Sequence, residues 1–79
     1  MPRYFFHIRD GWDLIPDEEG MEFPNLNQAK VEGYASARDL AAAALFDGHD
    51  LADYAIEIED EAGTALCRIK VEPIHRRAC

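Results

Sequence analysis

The phrase Ile15-Pro16-Asp17-Glu18-Glu19-Gly20-Met21-Glu22-Phe23 returns 43 residues later as Ile58-Glu59-Asp60-Glu61-Ala62-Gly63-Thr64-Ala65-Leu66. Both copies fit I-x-D-E-x-G-x-x-[F/L]. Asp opening a four-residue turn and Gly closing it is a type I preference: the Asp carboxylate accepts bonds from nearby backbone amides, and Gly enters positive φ without steric cost. Each copy therefore reads as a β-turn between extended segments, with an apolar residue on either flank. One long helical pattern lies between the two copies, so the turns bracket a helix with strands on both sides. They specify architecture and are silent on activity.

Upstream of the first turn, Arg3 to Arg9 alternates, with Tyr4, Phe6 and Ile8 on one face and Phe5, His7 and Arg9 on the other, which predicts a strand. Asp10-Gly11 is a hairpin dipeptide, so Trp12 to Pro16 should fold back with Ile15 on the side of Phe6. A short extended piece after the turn ends at Phe23-Pro24.

Asn25 is a suitable N-cap and Gln28 stands at the reciprocal position of a capping box. Leu26, Ala29, Gly33, Ala37, Leu40, Ala41 and Ala44 then recur at three- and four-residue steps, predicting one buried helix face that runs to about Asp47 before Gly48 ends it. Gly33 costs up to ~1 kcal/mol in a helix interior, so close packing on the sheet is its natural reason. Val31, Ala35, Ala42 and Phe46 form a weaker apolar set on the opposite side. It reads either as exposed helix-forming residues with Phe46 curled under the helix end, or as a stripe for a partner.

Downstream, Tyr54 to Glu59 alternates with Tyr54, Ile56 and Ile58 inward, and Ala65 to Val71 puts Cys67, Ile69 and Val71 inward with Arg68 and Lys70 outward. Two signals conflict at this hairpin. A three-residue loop with a bulge would set Ile58 across from Leu66, whereas the alternation sets it beside Cys67; a one-residue slip would turn Arg68 and Lys70 into the core, so the alternation is preferred. The expected fold is α+β in two layers: an antiparallel sheet of about four strands with one long helix on one face, in the order β-β-α-β-β. Residues 1–72 form a single domain in this reading, and residues 73–79 form a basic, disordered tail.

Bulk properties narrow the function classes. Eight basic against sixteen acidic side chains give a net charge of -8, which repels phosphate backbones and speaks against nucleic-acid binding. No secretory leader is evident and no apolar stretch approaches the ~20 residues of a membrane span, so the expectation is a cytoplasmic protein without a membrane role. Cys67 and Cys79 lack metal-ligand spacing and are expected as free thiols. A chain of 79 residues has a marginal core, because a domain this small buries only about 60% of its unfolded surface.

Met1-Pro2-Arg3-Tyr4-Phe5-Phe6-His7, Asp10-Gly11, Asp17-Glu18-Glu19-Gly20-Met21-Glu22, and Ile56-Glu57-Ile58 with Asp60-Glu61-Ala62-Gly63 together resemble a family of short bacterial proteins classed only as a domain of unknown function. The resemblance spans residues 1 to about 72 and implies no activity, cofactor or catalytic residue. A looser similarity links Pro16-Asp17-Glu18-Glu19-Gly20, then Leu26 and Ala29, to the P-D-x-x-G and L-x-x-A arrangement of HicB-type antitoxins. It covers about fifteen residues and implies a likeness of fold, a helix on a sheet.

His7 among Arg3, Phe5 and Arg9 has the makings of a general base, a metal ligand or a phosphate contact, but no second His or Cys lies at ligand spacing, so a structural histidine is the plainer reading. The six carboxylates from Asp10 to Glu22 lack the ligand spacing of a calcium loop. Ser36, the only serine, lies mid-helix with no base nearby in sequence. The sequence thus points to a non-catalytic interaction module, without metal, cofactor or small-molecule substrate, that forms a homo-oligomer, most simply a homodimer, or binds a protein partner. Phe5, His7, Arg9, Leu14 and Leu66 on the sheet, or Val31, Ala35 and Phe46 on the helix, are the candidate contacts. The alternative is an antitoxin-like regulatory domain that caps a partner enzyme.

Overall fold

Alternation of aromatic and charged residues makes β1 (Arg3–Asp10) the strand on which the rest of the sheet is assembled, and the computed structural model describes residues 1–47 and 53–72 around it. The two-residue loop Gly11-Trp12 turns the chain into β2 (Asp13–Ile15), with Gly11 at φ +58°. Glycine first in a two-residue loop fits the primed turns, whose twist matches that of the strands they join. The register pairs Ile8 with Ile15, Arg9 with Leu14 and Asp10 with Asp13, so Ile15 shares the face of Ile8 and Phe6 as expected.

The chain then turns through Asp17 to Gly20 and pairs again with the same edge of β1 as β3 (Met21–Glu22), Tyr4 opposite Met21. On the other side of β1 lies β4 (Tyr54–Glu59), and beyond it β5 (Ala65–Lys70). The sheet is antiparallel, ordered β2-β1-β4-β5, with β3 sharing the edge of β1 that β2 occupies. The α+β layout read from the sequence is therefore the one adopted. Its fifth strand is the short piece before Phe23, whose two paired residues give too short an alternation to show as a strand.

Helix α1 (Leu26–Asp47) starts where Asn25 Oδ1 accepts the Gln28 N–H at 3.0 Å, satisfying one of the donors a helix start leaves over. It buries Ala29, Gly33, Ala37, Ala41 and Ala44 and lies over β4 and β5. Because this face is made of small residues, the helix approaches the sheet closely. A Cβ on Gly33 would stand 2.8 Å from Ile69 Cδ1 and 3.1 Å from Ile58 Cδ1, which is the packing reason for a glycine there. Ile56, Ile58 and Val71 are the largest fully buried side chains, each contributing about 1.5–3 kcal/mol of burial. Among the described residues no helix is long and apolar enough to cross a membrane.

The two conflicting signals at the last hairpin are both satisfied. Ile58 pairs with Cys67 and Glu57 with Arg68, while a register shift between Ile58 and Glu59 lets Glu59 pair with Ala65. Leu66 is the extra residue. A bulge absorbs one residue without reversing the faces of the strand beyond it. Cys67 is disulfide-bonded, which corrects the expectation of a free thiol at this position. Cys79, Gly48 and the tail proposed for residues 73–79 lie outside the described residues.

Candidate functional site

Between β2 and β3 the edge of β1 has no strand beside it, and a side chain fills the place. Asp17 Oδ2 accepts the Phe6 N–H at 3.1 Å, and the Asp17 N–H donates to His7 Nδ1 at 3.0 Å. The other carboxylate oxygen caps its own turn, accepting from Gly20 N–H at 3.1 Å and Glu19 N–H at 3.3 Å. Burial alone would raise the Asp17 carboxyl, but the amides of Phe6, Gly20 and Glu19 outweigh it and hold the group below the usual aspartate value. An accepting Nδ1 carries no proton, so the neutral His7 ring holds its hydrogen on Nε2 and donates it to Glu59 Oε1 at 3.1 Å. Both ring nitrogens are committed. Action as a base or a metal ligand would break one of these bonds.

The rest of the open sheet face is similarly satisfied. Arg9 donates through Nε to Glu57 Oε2 at 3.2 Å and through Nη2 to Glu57 Oε1 at 3.3 Å, a two-pronged pair across β1 and β4. Arg68 approaches the same carboxylate from β5 at 3.8 Å. Phe5 stacks beside the His7 ring, centroids 6.5 Å apart and planes 12° from parallel. At the start of β1, Arg3 gathers both Asp-Glu-x-Gly turns: its N–H donates to Glu61 Oε1 at 3.3 Å and its Nη1 to the Glu19 carbonyl at 2.8 Å. This face reads as a cross-strand ladder in which the charges answer one another. Among the described residues no three His, Cys, Asp or Glu side chains converge as a metal site.

In the second copy the Asp side chain bonds within its own turn. Asp60 Oδ1 accepts the Ala62 and Thr64 amides, both at 2.9 Å, and Gly63 takes φ +82°. Gly20 takes φ +69°, but a Cβ there would also stand 2.9 Å from Arg3 Cγ, Phe5 Cε2 and the Tyr4 carbonyl oxygen. At its glycine the first turn is pressed against β1, whereas the space beside Gly63 is open.

Several large apolar side chains are exposed along this edge of the sheet. Trp12, at the tip of the β1–β2 loop, is 99% exposed; Leu14 and Ile15 on β2 are 41% and 58% exposed, and Met21 on β3 is 46% exposed. Because α1 lies over β4 and β5, the helix side of this margin is also open. Phe6, Ile8 and Ile56 with Ser36, Asp39 and Leu40 line a depression of about 290 Å³ between helix and strand.

The candidate residues fall into separate places. Phe5, His7 and Arg9 come together on the open face, inside the ladder just described. Leu66 packs against the core at the bulge. Val31 is exposed and Ala35 half-buried on α1, while the Phe46 side chain lies outside the described residues. Trp12, Ile15 and Met21 were not among the sequence candidates. The signal for Trp12 was its position: a hairpin tip has no second layer to cover a large ring.

A model of the family described as "Domain of unknown function (DUF6894)" matches residues 3–72, a span that holds both turn phrases, α1 and every strand of the sheet. No curated protein and no solved structure matches the chain.

Proposed function

The chain belongs to the DUF6894 family, whose function is unknown, and from that premise we propose that it is a small non-catalytic protein-interaction module whose contact surface is the margin formed by Trp12, Leu14, Ile15 and Met21. One observation carries the reading. The only tryptophan of the chain stands 99% exposed beside further exposed aliphatic side chains. Large apolar side chains exposed along one sheet edge point to an interaction site, and Trp is enriched among the residues that dominate binding energy.

The His7 ladder supports a scaffold role rather than a chemical one, since His7 and Arg9 are already bonded to carboxylates. No observation favours the antitoxin-like alternative. The partner is a protein, a second copy of the chain being the simplest case. A photo-crosslinking amino acid placed at position 12 in native cells should give protein adducts, while the same group at exposed position 31 on α1 should give none. Absence of adducts at 12 would overturn the reading.

A further inference from the structure

We infer that the partner at this margin is a second copy of the chain, joined by antiparallel pairing of β2 with β2 about a two-fold axis at Leu14; the inference rests on the reading of the Trp12 margin as the contact surface. Backbone bonds in an antiparallel sheet alternate in direction along each strand. The Gly11 N–H donates to the Asp53 carbonyl at 3.0 Å, and the Phe6 N–H donates to Asp17 at 3.1 Å. Odd-numbered residues of β1 therefore bond toward β4 and even-numbered ones toward β2 and β3. Arg9 is odd, so Leu14, directly opposite it, directs its own N–H and C=O away from β1. Among the described residues no strand lies beyond β2 to receive them.

The two edges of the sheet differ in how they are guarded. β5 carries Arg68 and Lys70, and basic side chains on an edge discourage pairing with another chain. β2 carries none; its sequence is Asp13-Leu14-Ile15. A two-fold axis at Leu14 sets Leu14 across from Leu14 of the second copy, Asp13 across from Ile15, and Trp12 alongside Pro16. The two Leu14 residues exchange backbone hydrogen bonds, and Pro16, which has no N–H, ends the ladder.

Charge is compatible with this register. Asp13 meets an aliphatic side chain, and the diagonal Asp13 of the second copy stands roughly 8–9 Å away by strand geometry. That is about one Debye length at physiological salt, so added salt relieves the residual repulsion between two chains of charge -8 and strengthens the pairing. The apolar area offered by Trp12, Leu14 and Ile15 amounts to roughly 400 Å² per copy, about half that of a standard interface. An interface of that size belongs to the weak class.

Leu14→Cys tests the register. Residues facing each other in a hydrogen-bonded antiparallel pair have Cα atoms about 5.5 Å apart, within disulfide range. Mild oxidation at high micromolar concentration should convert this variant to a covalent dimer, whereas Ile15→Cys and Val31→Cys should stay uncrosslinked, the first because its symmetry mate is too distant. Leu14→Pro deletes only an outward N–H, so the melting temperature should hold within a few degrees while self-association by sedimentation weakens at least tenfold. Crosslinking at 14 no greater than at 31, or unchanged association of a folded Leu14→Pro, would overturn the inference. A photo-adduct at position 12 with a different protein, from a chain monomeric to millimolar concentration, would sink this pairing and leave the contact surface standing; no adduct of any kind would sink both.

Discussion

Gly20 and Gly63 hold the same place in two copies of one phrase, and the structure predicts that they respond differently to the same substitutions. Both sit at positive φ, +69° and +82°, where a Cβ costs about 1–2 kcal/mol. At Gly63 nothing lies within 4 Å of the added atom, so that conformational term is the whole cost. At Gly20 the atom meets Arg3 Cγ, Phe5 Cε2 and the Tyr4 carbonyl oxygen, each at 2.9 Å. The carbonyl belongs to β1 and cannot swing aside, so overpacking adds about 1–3 kcal/mol. For a domain of this size 1 kcal/mol lowers the melting temperature by roughly 4–8 °C. Gly63→Ala should therefore melt about 4–16 °C below the native chain and Gly20→Ala about 8–40 °C below it, read by circular dichroism. Asn separates the two causes, because it tolerates positive φ but still has a Cβ. Asn should restore most of the loss at 63 and little at 20. Equal losses at the two sites, or equal rescue by Asn, would refute the claim that the first turn is pressed against β1.

Gly33→Ala should stay within about 1 kcal/mol of the native chain, since the helix gains propensity while only the terminal methyls of Ile69 and Ile58 must yield. Gly33→Leu overfills the contact and should lose about 2–4 kcal/mol in urea unfolding. Asp17→Asn should cost about 1–2 kcal/mol at neutral pH, because the carboxylate accepts from several amides. The folded-state pKa of Asp17 lies below its unfolded value, so its contribution is full above the usual aspartate range of about 4 and is lost as pH falls through the lower folded value. The gap between native and Asn proteins should accordingly close in acid, and a gap that widens there contradicts the assignment. His7→Phe leaves the Asp17 N–H and Glu59 without a partner and should cost about 2–3 kcal/mol, whereas His7→Asn, which can still accept from Asp17, should cost about 1 kcal/mol. Neither should alter photo-crosslinking at position 12.

Much of the fold was legible because its signals are local. Asn25 announces the helix start, the alternation of Tyr54 to Glu59 gives β4 residue for residue, and Gly20 and Gly63 adopt the positive φ that their turn position demands. At the last hairpin, turn chemistry and alternation pointed to different registers, and only a bulge at Leu66 reconciles them. The role of Asp17 was hidden for a different reason. Its bonds to Phe6 and His7 depend on β2 and β3 leaving a gap on the same edge, a tertiary fact that no local pattern encodes. His7 stood out in sequence as a chemical candidate, yet its environment is set by Glu59, 52 residues away. The exposure of Ile15 on the helix side of β2 follows from the position of α1 over β4 and β5, which the helix periodicity does not specify.

In the proposed function the ladder around His7 holds the sheet while the margin around Trp12 makes the contact. Trp12 is the only tryptophan, so 5-fluorotryptophan labelling yields one ¹⁹F resonance that reports on this margin alone. Its spectrum in intact cells, compared with that of the purified chain at low micromolar concentration, is the direct measurement. The resonance should be shifted and broadened in the cell, with the same shift approached by the purified chain as its concentration is raised toward millimolar. A resonance that keeps the position and width of the dilute chain, in cells and at every concentration, would contradict the proposed function.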